Sequence, residues 1–285
     1  MKVLVTGAKG MLGQAVVSAS EARQWTTIPL GRGDLYITDL RAVRDALFEH
    51  RPDVVVNCAA YTDVDGAESA REKAFIVNGL GPRNLALACR DVEADLVHIS
   101  TDYVFDGSKD SGYQIFDEPR PLNVYGASKL WGEKAVTSLG GRWYIVRTSW
   151  LFGPGGKNFV LTMLDSGKKR SVLRVVNDQR GCPTYTLDLA RAVIDLINIR
   201  CYGIYHVTNQ GSTTWFNFAR KTFEKVGLPV TVEPCSSQQF PRPAVRPKNS
   251  VLDPFPLRET IGYLLPPWED ALDRYLASMA KEEVS

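Results

Sequence analysis

The sequence predicts an α/β protein: a doubly wound parallel sheet followed by a smaller C-terminal region. Three observations carry that expectation. A short apolar run at residues 2–6 leads straight into glycines at 7, 10 and 13, and then into helix-compatible spacing over 11–22. Strand-like and helical stretches alternate through the first 150 residues, which requires crossover connections and therefore parallel strands with helices on both faces. Beyond Trp150, Pro and Gly become frequent and the alternation loses its regularity. The expected division is a sheet-bearing domain at 1–150 and a mainly substrate-binding domain at 151–285, with the chain returning to the first around 184–207.

Taken in order, Lys2-Val3-Leu4-Val5-Thr6 reads as a buried parallel strand. Gly7 permits a tight turn, Gly10 lets backbone approach a pyrophosphate, and Gly13 allows close helix–strand packing. The helix N-terminus faces the anion. Strand, Gly-rich turn and helix together form the context of a Rossmann-type dinucleotide site, and the G-x-x-G-x-x-G spacing favours its short-chain dehydrogenase variant. A second strand at 26–30 ends at Gly31-Arg32-Gly33-Asp34. An acid there binds the adenosine ribose of NAD, whereas an arginine accommodates the 2′-phosphate of NADP. Arg32 comes first, so the lean is to NADPH with NADH also accepted; a solvated loop charge stays open for either residue.

Further strands are expected at 53–57, 96–100 and 143–147, with a helix at about 83–91 and another bearing Tyr125. Ligands of such sheets sit beyond the C-terminal strand ends. Two more segments fall there, Asn57-Cys58-Ala59-Ala60-Tyr61 and Ser100-Thr101-Asp102. In the second half, Gly153-Pro154-Gly155-Gly156 reads as a hinge or turn, 172–176 and 204–207 as strands, and 187–199 as a helix. Residues 239–249 are Pro-rich and basic, through Arg242, Arg246 and Lys248, which suits either a diphosphate site or a solvated loop. Trp268, Ala271, Leu272, Tyr275, Leu276 and Met279 form the core-facing stripe of a terminal helix.

The chemistry is expected at Tyr125 and Lys129. Spaced by four, they lie on one face of a helix. A phenol is a poor acid at neutral pH, and a nearby ammonium lowers its pKa. The Thr101 hydroxyl could hydrogen-bond the reacting oxygen. Together with a nucleotide at the Gly-rich turn, the set suits hydride transfer.

Composition sets outer bounds. The 285 residues, 44% hydrophobic, suffice for one large or two modest domains. A net charge of +2 with no basic block gives no pointer to nucleic acid. No apolar run reaches membrane-spanning length, and the N-terminus is not a signal peptide. Cys58, Cys89, Cys182, Cys201 and Cys235 show no metal or disulfide spacing, which suits a reduced, cytoplasmic setting.

The glycine turn, Asn57-Cys58-Ala59-Ala60, Ser100-Thr101-Asp102-Tyr103-Val104-Phe105-Asp106-Gly107 and Tyr125-Gly126-Ala127-Ser128-Lys129 resemble the extended short-chain dehydrogenase/reductase superfamily. Pro121-Leu122-Asn123-Val124, Arg147-Thr148-Ser149-Trp150, Asn177-Asp178-Gln179-Arg180-Gly181-Cys182-Pro183-Thr184 and Arg246-Pro247-Lys248-Asn249-Ser250 narrow the resemblance to the dTDP-4-dehydrorhamnose reductase family, over residues 2 to about 276. The resemblance implies NADPH-dependent reduction of a 4-keto sugar nucleotide by a cytoplasmic monomer or homodimer. It implies that Gly10, Met11 and Leu12 lie against the pyrophosphate, and that Ala59, Ala60 and Tyr61 line the adenosine and ribose side. Thr101, Tyr125 and Lys129 would be catalytic, with Tyr125 and Lys129 also against the cofactor, Lys129 on its nicotinamide ribose; Thr101, Asp102 and Trp150 would meet the sugar nucleotide. Tyr36 stands where the family often has an adenine-binding aspartate. Some members dimerise through a metal held by glutamates; helix 11–20 has none, so no metal is expected. The rival readings are an epimerase or reductase of another keto sugar, and a non-catalytic NADP-binding regulatory subunit.

Overall fold

The computed structural model describes residues 1–282. Strand β1 (Lys2–Thr6) leads to helix α1 (Met11–Ala22), β2 (Thr26–Leu30) to α2 (Leu40–His50), and β3 (Val54–Asn57) to α3 (Val64–Ser69) and α4 (Arg71–Phe75). A π-helical turn (Ile76–Leu80) joins α4 to α5 (Gly81–Asp91), so the helical path before β4 (Asp95–Thr101) is longer than the apolar spacing predicts. Helix α6 (Val124–Ser138) and β5 (Trp143–Thr148) follow. The rest comprises β6 (Leu151–Phe152), α7 (Phe159–Gly167), β7 (Val172–Val176), β8 (Arg180–Gly181), β9 (Thr184–Tyr185), α8 (Thr186–Ile199) and β10 (Gly203–His206). Last come β11 (Thr213–Thr214), α9 (Trp215–Val226), β12 (Thr231–Cys235), α10 (Leu257–Ile261) and α11 (Trp268–Glu282).

The main sheet is parallel throughout, in the order β10-β5-β4-β3-β1-β2. Successive strands step one way from β1 to β2 and the other way from β3 onward. The switch therefore lies between β1 and β3, and a crevice opens beyond their C-terminal ends. Strand pleating sends alternate residues to opposite faces. Val3, Val5, Val54, Val56, Val97 and Ile99 pack with α1 and α8 on one side, while Leu4, Val55, Leu96 and Ile145 pack with α2 and α5 on the other. Because both faces are covered, these strands read as continuous apolar runs.

The second half fills two further cores. Phe152, Tyr185, Phe218 and the α11 stripe (Trp268, Ala271, Leu272, Tyr275) form one. The other lies where β7 and β12 pair beside α9. Between them the chain runs back along the main sheet: α8 packs against it and β10 pairs with β5. Strand β7, read from sequence as a strand, thus belongs to a separate two-stranded sheet.

One buried ion pair ties α6 to the sheet. Arg147 of β5 donates to Glu133 of α6 through Nη2 at 2.7 Å and Nε at 3.0 Å, with both side chains almost wholly buried. Ser100 of β4 also bonds Glu133, the Arg147 guanidinium lies 5.2 Å from the Phe105 ring centroid, and Arg147 Nη1 is 3.4 Å from His206 Nε2. Removing one partner strands a buried charge. Arg147→Met should therefore cost about 3–5 kcal/mol in urea unfolding. The double variant with Glu133→Gln should recover part of it; a loss below about 1 kcal/mol for the single change would mean that the pair does not hold α6 to the sheet.

Candidate active site at the sheet switch point

The crevice exists because β1 and β3 end with little between them. Gly7 takes φ +65°, and a Cβ there would stand 2.6 Å from the Ala59 nitrogen. A Cβ on Gly13 would reach within 2.2 Å of the Gly7 carbonyl oxygen. Gly10 N-caps α1 without a side-chain hydrogen bond, so the first-turn amides of this 12-residue helix keep their donors for an anion. Leu12 is buried in the core, which leaves its backbone for the crevice, and Met11 is half-buried.

Ala59, Ala60 and Tyr61, all half-buried, form the opposite wall. Two asparagines hold that wall: Asn57, which heads the strand-end segment read in the sequence, and Asn78, which did not stand out there. Asn57 Oδ1 accepts from Ala59 N (3.2 Å) and Thr6 Oγ1 (2.7 Å). Asn78, in the π-helical turn, brackets Tyr61: its Oδ1 accepts from Tyr61 N (2.7 Å) and its Nδ2 donates to Tyr61 O (3.0 Å) and Ser128 Oγ (3.0 Å). Past β2, Arg32 is exposed, and among the described residues it has no ion-pair partner. Asp34 turns back to accept from Gly31 N at 2.8 Å. Lys9, missed in the sequence, lays its aliphatic stem against Gly31, within 2.9 Å of where a Cβ would stand. Two cations, neither with an ion-pair partner among the described residues, therefore flank the end of β2, and Asp34 is engaged in its own turn. Tyr36 is 57% exposed.

Across the crevice, Asn123 caps α6 by accepting from Gly126 N (2.8 Å), which fixes the turn that carries Tyr125. A Cβ on Gly126 would lie 2.1 Å from the Tyr103 carbonyl oxygen, so α6 sits tight on the segment after β4. Burial pushes the Tyr125 phenol up to about 12, with the Thr101 hydroxyl opposing. Burial also pushes Lys129 down to about 8, with the charge of Glu133 opposing. Lys129 Nζ donates to the Ile99 carbonyl at 2.6 Å and stands 3.5 Å from His98 Nε2. The expected lowering of the tyrosine by the lysine is not what this arrangement displays: the ammonium is turned into the sheet, and Thr101 supplies the opposing influence.

Thr101 Oγ1 donates to Asp102 Oδ1 (3.0 Å) and accepts from Tyr103 N (3.2 Å). Asp102 is buried, and its Oδ2 has no hydrogen-bond partner among the described residues. Burial raises its carboxyl to about 7, with the Ser250 and Thr101 hydroxyls opposing. The Tyr103 ring meets Tyr125 edge-on at 6.0 Å. Trp150 adopts φ 47°, a left-handed conformation costly for a bulky side chain. One ring face stacks on Trp215 at 3.5 Å between centroids, and a Cβ on Gly181 would lie 2.6 Å from its Nε1. Arg246 is committed to Asp65 through bonds of 3.0 and 2.9 Å, and Arg242 lies 3.6 Å from the same carboxylate. Of the three basic side chains at 239–249, only that of Lys248 has no hydrogen-bond or ion-pair partner among the described residues.

A glycine-lined crevice at the switch point, with phenol, amine and hydroxyl gathered at the neighbouring strand end, is the arrangement of an extended short-chain dehydrogenase/reductase. Within that class the chain belongs to the dTDP-4-dehydrorhamnose reductase family: the family model described as RmlD substrate binding domain matches residues 1–281. A dTDP-4-dehydrorhamnose reductase of Streptomyces griseus is 49% identical over 257 residues, 88% of this chain and 84% of its own. A crystal structure of a dTDP-4-dehydrorhamnose reductase from Clostridium acetobutylicum superposes with TM-score 0.96 at 44% identity, covering 98% of this chain and 100% of that one. The Bacillus anthracis enzyme, solved in complex with NADP, has TM-score 0.95 at 43% identity, over 97% of this chain and 99% of its own.

Asp102 makes the site pH-sensitive. An unfolded aspartate loses its proton near pH 3.9. From about pH 4 to 7 the folded chain therefore keeps a proton that the unfolded chain has released, and stability falls as pH rises. Asp102→Asn cannot ionise. Its melting temperature relative to the parent should climb by several degrees between pH 4 and pH 8. A constant difference across that range would count against a protonated Asp102.

Proposed function

We propose that this protein reduces the C4 keto group of dTDP-4-dehydro-L-rhamnose with NADPH, giving dTDP-L-rhamnose, the final step in making that sugar donor for cell-surface polysaccharide. The observation that carries the reading is the grouping of Thr101, Tyr125 and Lys129 beside a glycine-walled crevice, in a chain of this reductase family. The uncapped start of α1 suits the cofactor diphosphate. Arg32 and Lys9 suit a 2′-phosphate. Residues 59–61 line the adenosine side. When bound there, NADPH supplies the hydride.

As negative charge develops on the C4 oxygen, Tyr125 donates the proton. A phenol pushed up to about 12 carries that proton throughout the neutral range. Thr101 hydrogen-bonds the same oxygen, and Lys129 holds the ribose side of the cofactor. Asp102 and Trp150 bound the sugar pocket. With both its stacked face and its Nε1 side occupied, Trp150 offers a ligand an edge. We place the domain boundary near residue 150 and the enzyme in the cytoplasm, in keeping with five unpaired cysteines.

The deciding assay supplies dTDP-4-keto-rhamnose with NADPH or NADH, follows loss of nicotinamide absorbance and identifies the product. An epimerised keto sugar, or binding without turnover, would replace this reading by an epimerase or a regulatory subunit. Tyr125→Phe should keep NADPH affinity and lose roughly 10²–10⁴-fold in turnover; parent-like turnover would remove Tyr125 as the acid. Arg32→Ala should raise the KM for NADPH by about tenfold or more while barely moving that for NADH, as expected for a lost charge-assisted bond. Equal effects on both cofactors would return Arg32 to the solvent.

A further inference from the structure

Lys129 ends a buried polar chain that crosses the sheet with one residue from each element. Thr6 of β1 donates to Asn57 Oδ1 at the end of β3, at 2.7 Å, as does the Ala59 N–H at 3.2 Å. Asn57 Nδ2 stands 3.0 Å from His98 Nδ1 of β4, and His98 Nε2 stands 3.5 Å from Lys129 Nζ of α6. All four side chains are at most 2% exposed, so their hydrogens are arranged by one another. Gly132, one turn along α6, leaves room for the ring: a Cβ there would lie 3.2 Å from His98 Nε2.

The backbone sets the direction of this chain. An amide N–H only donates, so the Asn57 atom facing Ala59 is the oxygen and the atom facing His98 is the nitrogen. That nitrogen also only donates. His98 Nδ1 is therefore an acceptor, and the proton of the neutral ring lies on Nε2. The ring is held neutral: burial and the neighbouring Lys129 charge both lower its pKa well below the usual histidine value. Its N–H then points at Lys129. An ammonium has no lone pair to accept it, whereas a neutral amine does. The Ile99 carbonyl accepts from either form of the lysine.

We infer that His98 is a positioning residue for Lys129: its Nε2–H, oriented from the cofactor wall through Asn57, favours the neutral amine and sets the pH at which the lysine changes charge. The other groups facing Lys129 are few. The Cys58 thiol is pushed up to about 12 by burial and stays protonated, and Glu133, on the same helix, is paired with Arg147. Asn78 and Ser128 bond each other and carry no charge. Thr6, Asn57 and Ala59 thereby link the crevice wall to the amine.

The inference rests on the reductase reading only for its kinetic consequence, so its primary test needs no substrate. Nitrogen-15 NMR of the parent should report the Nε2–H tautomer for His98; the Nδ1–H tautomer would overturn the proposal without any mutation. Titration of carbon-13-labelled lysine follows Lys129 itself. His98→Asn keeps an acceptor for Asn57 and is too short to place an N–H at the Nε2 position, so the Lys129 midpoint should rise by about one pH unit, the worth of one hydrogen bond. In His98→Gln, which presents an N–H at the Nε2 position, it should stay near the parent's. The basic limb of the kcat profile should move with the midpoint. Coincident titrations in parent, Asn and Gln variants would sink the idea. A moved midpoint in a protein that reduces no keto sugar would sink the function proposal and leave this one standing.

Discussion

Everything at this site follows from how closely β1 and β3 approach at their C-terminal ends. Gly7 lies against the backbone at 58–59 with no room for a side chain, and Gly13 lies against Gly7 in turn. Two strands, one turn and one helix thus meet backbone to backbone. Any side chain at Gly7 would push the walls apart, and its left-handed φ would add strain. The uncapped amides of α1 and the Ala59 wall are useful because that approach fixes their separation.

A second constraint runs beneath the first. A sheet covered on both faces excludes polar side chains unless they satisfy each other. This one holds two buried polar systems side by side: Thr6–Asn57–His98–Lys129, and Ser100–Glu133–Arg147–His206. Both reach α6, the helix that carries Tyr125. The helix is therefore held in register by directional bonds as well as by apolar contact, which suits the role proposed for Tyr125 as proton donor.

The parts of this arrangement that were readable in the sequence are local ones. A strand running into glycines, a tyrosine and lysine four apart, and alternating strand and helix each declare themselves within a short window, and the parallel sheet followed from them. What stayed hidden depends on contacts between distant segments. His98 sits in a strand buried along its whole length, where a histidine looks like any other core residue. Asn78 lies in a π-helical turn that no apolar period marks. Asp65 and Arg246 are 181 positions apart, and their pairing changed the basic segment from a candidate anion site into a strap held down on α3. The lysine's effect on the tyrosine was expected from spacing alone. Spacing does not tell which way a long side chain turns, and here it turns to Ile99.

Trp150 has a consequence for how the pocket can change. Its left-handed backbone, its stack on Trp215 and its fit against Gly181 come from three separate segments. A smaller residue at 150 would leave Trp215 without its partner, while a larger one at 181 would collide with the ring. Under the role proposed for Trp150 beside the sugar, altering preference through this position calls for coordinated replacements at 150, 181 and 215. An evolutionary or laboratory path that takes them one at a time crosses a valley of poorly packed intermediates.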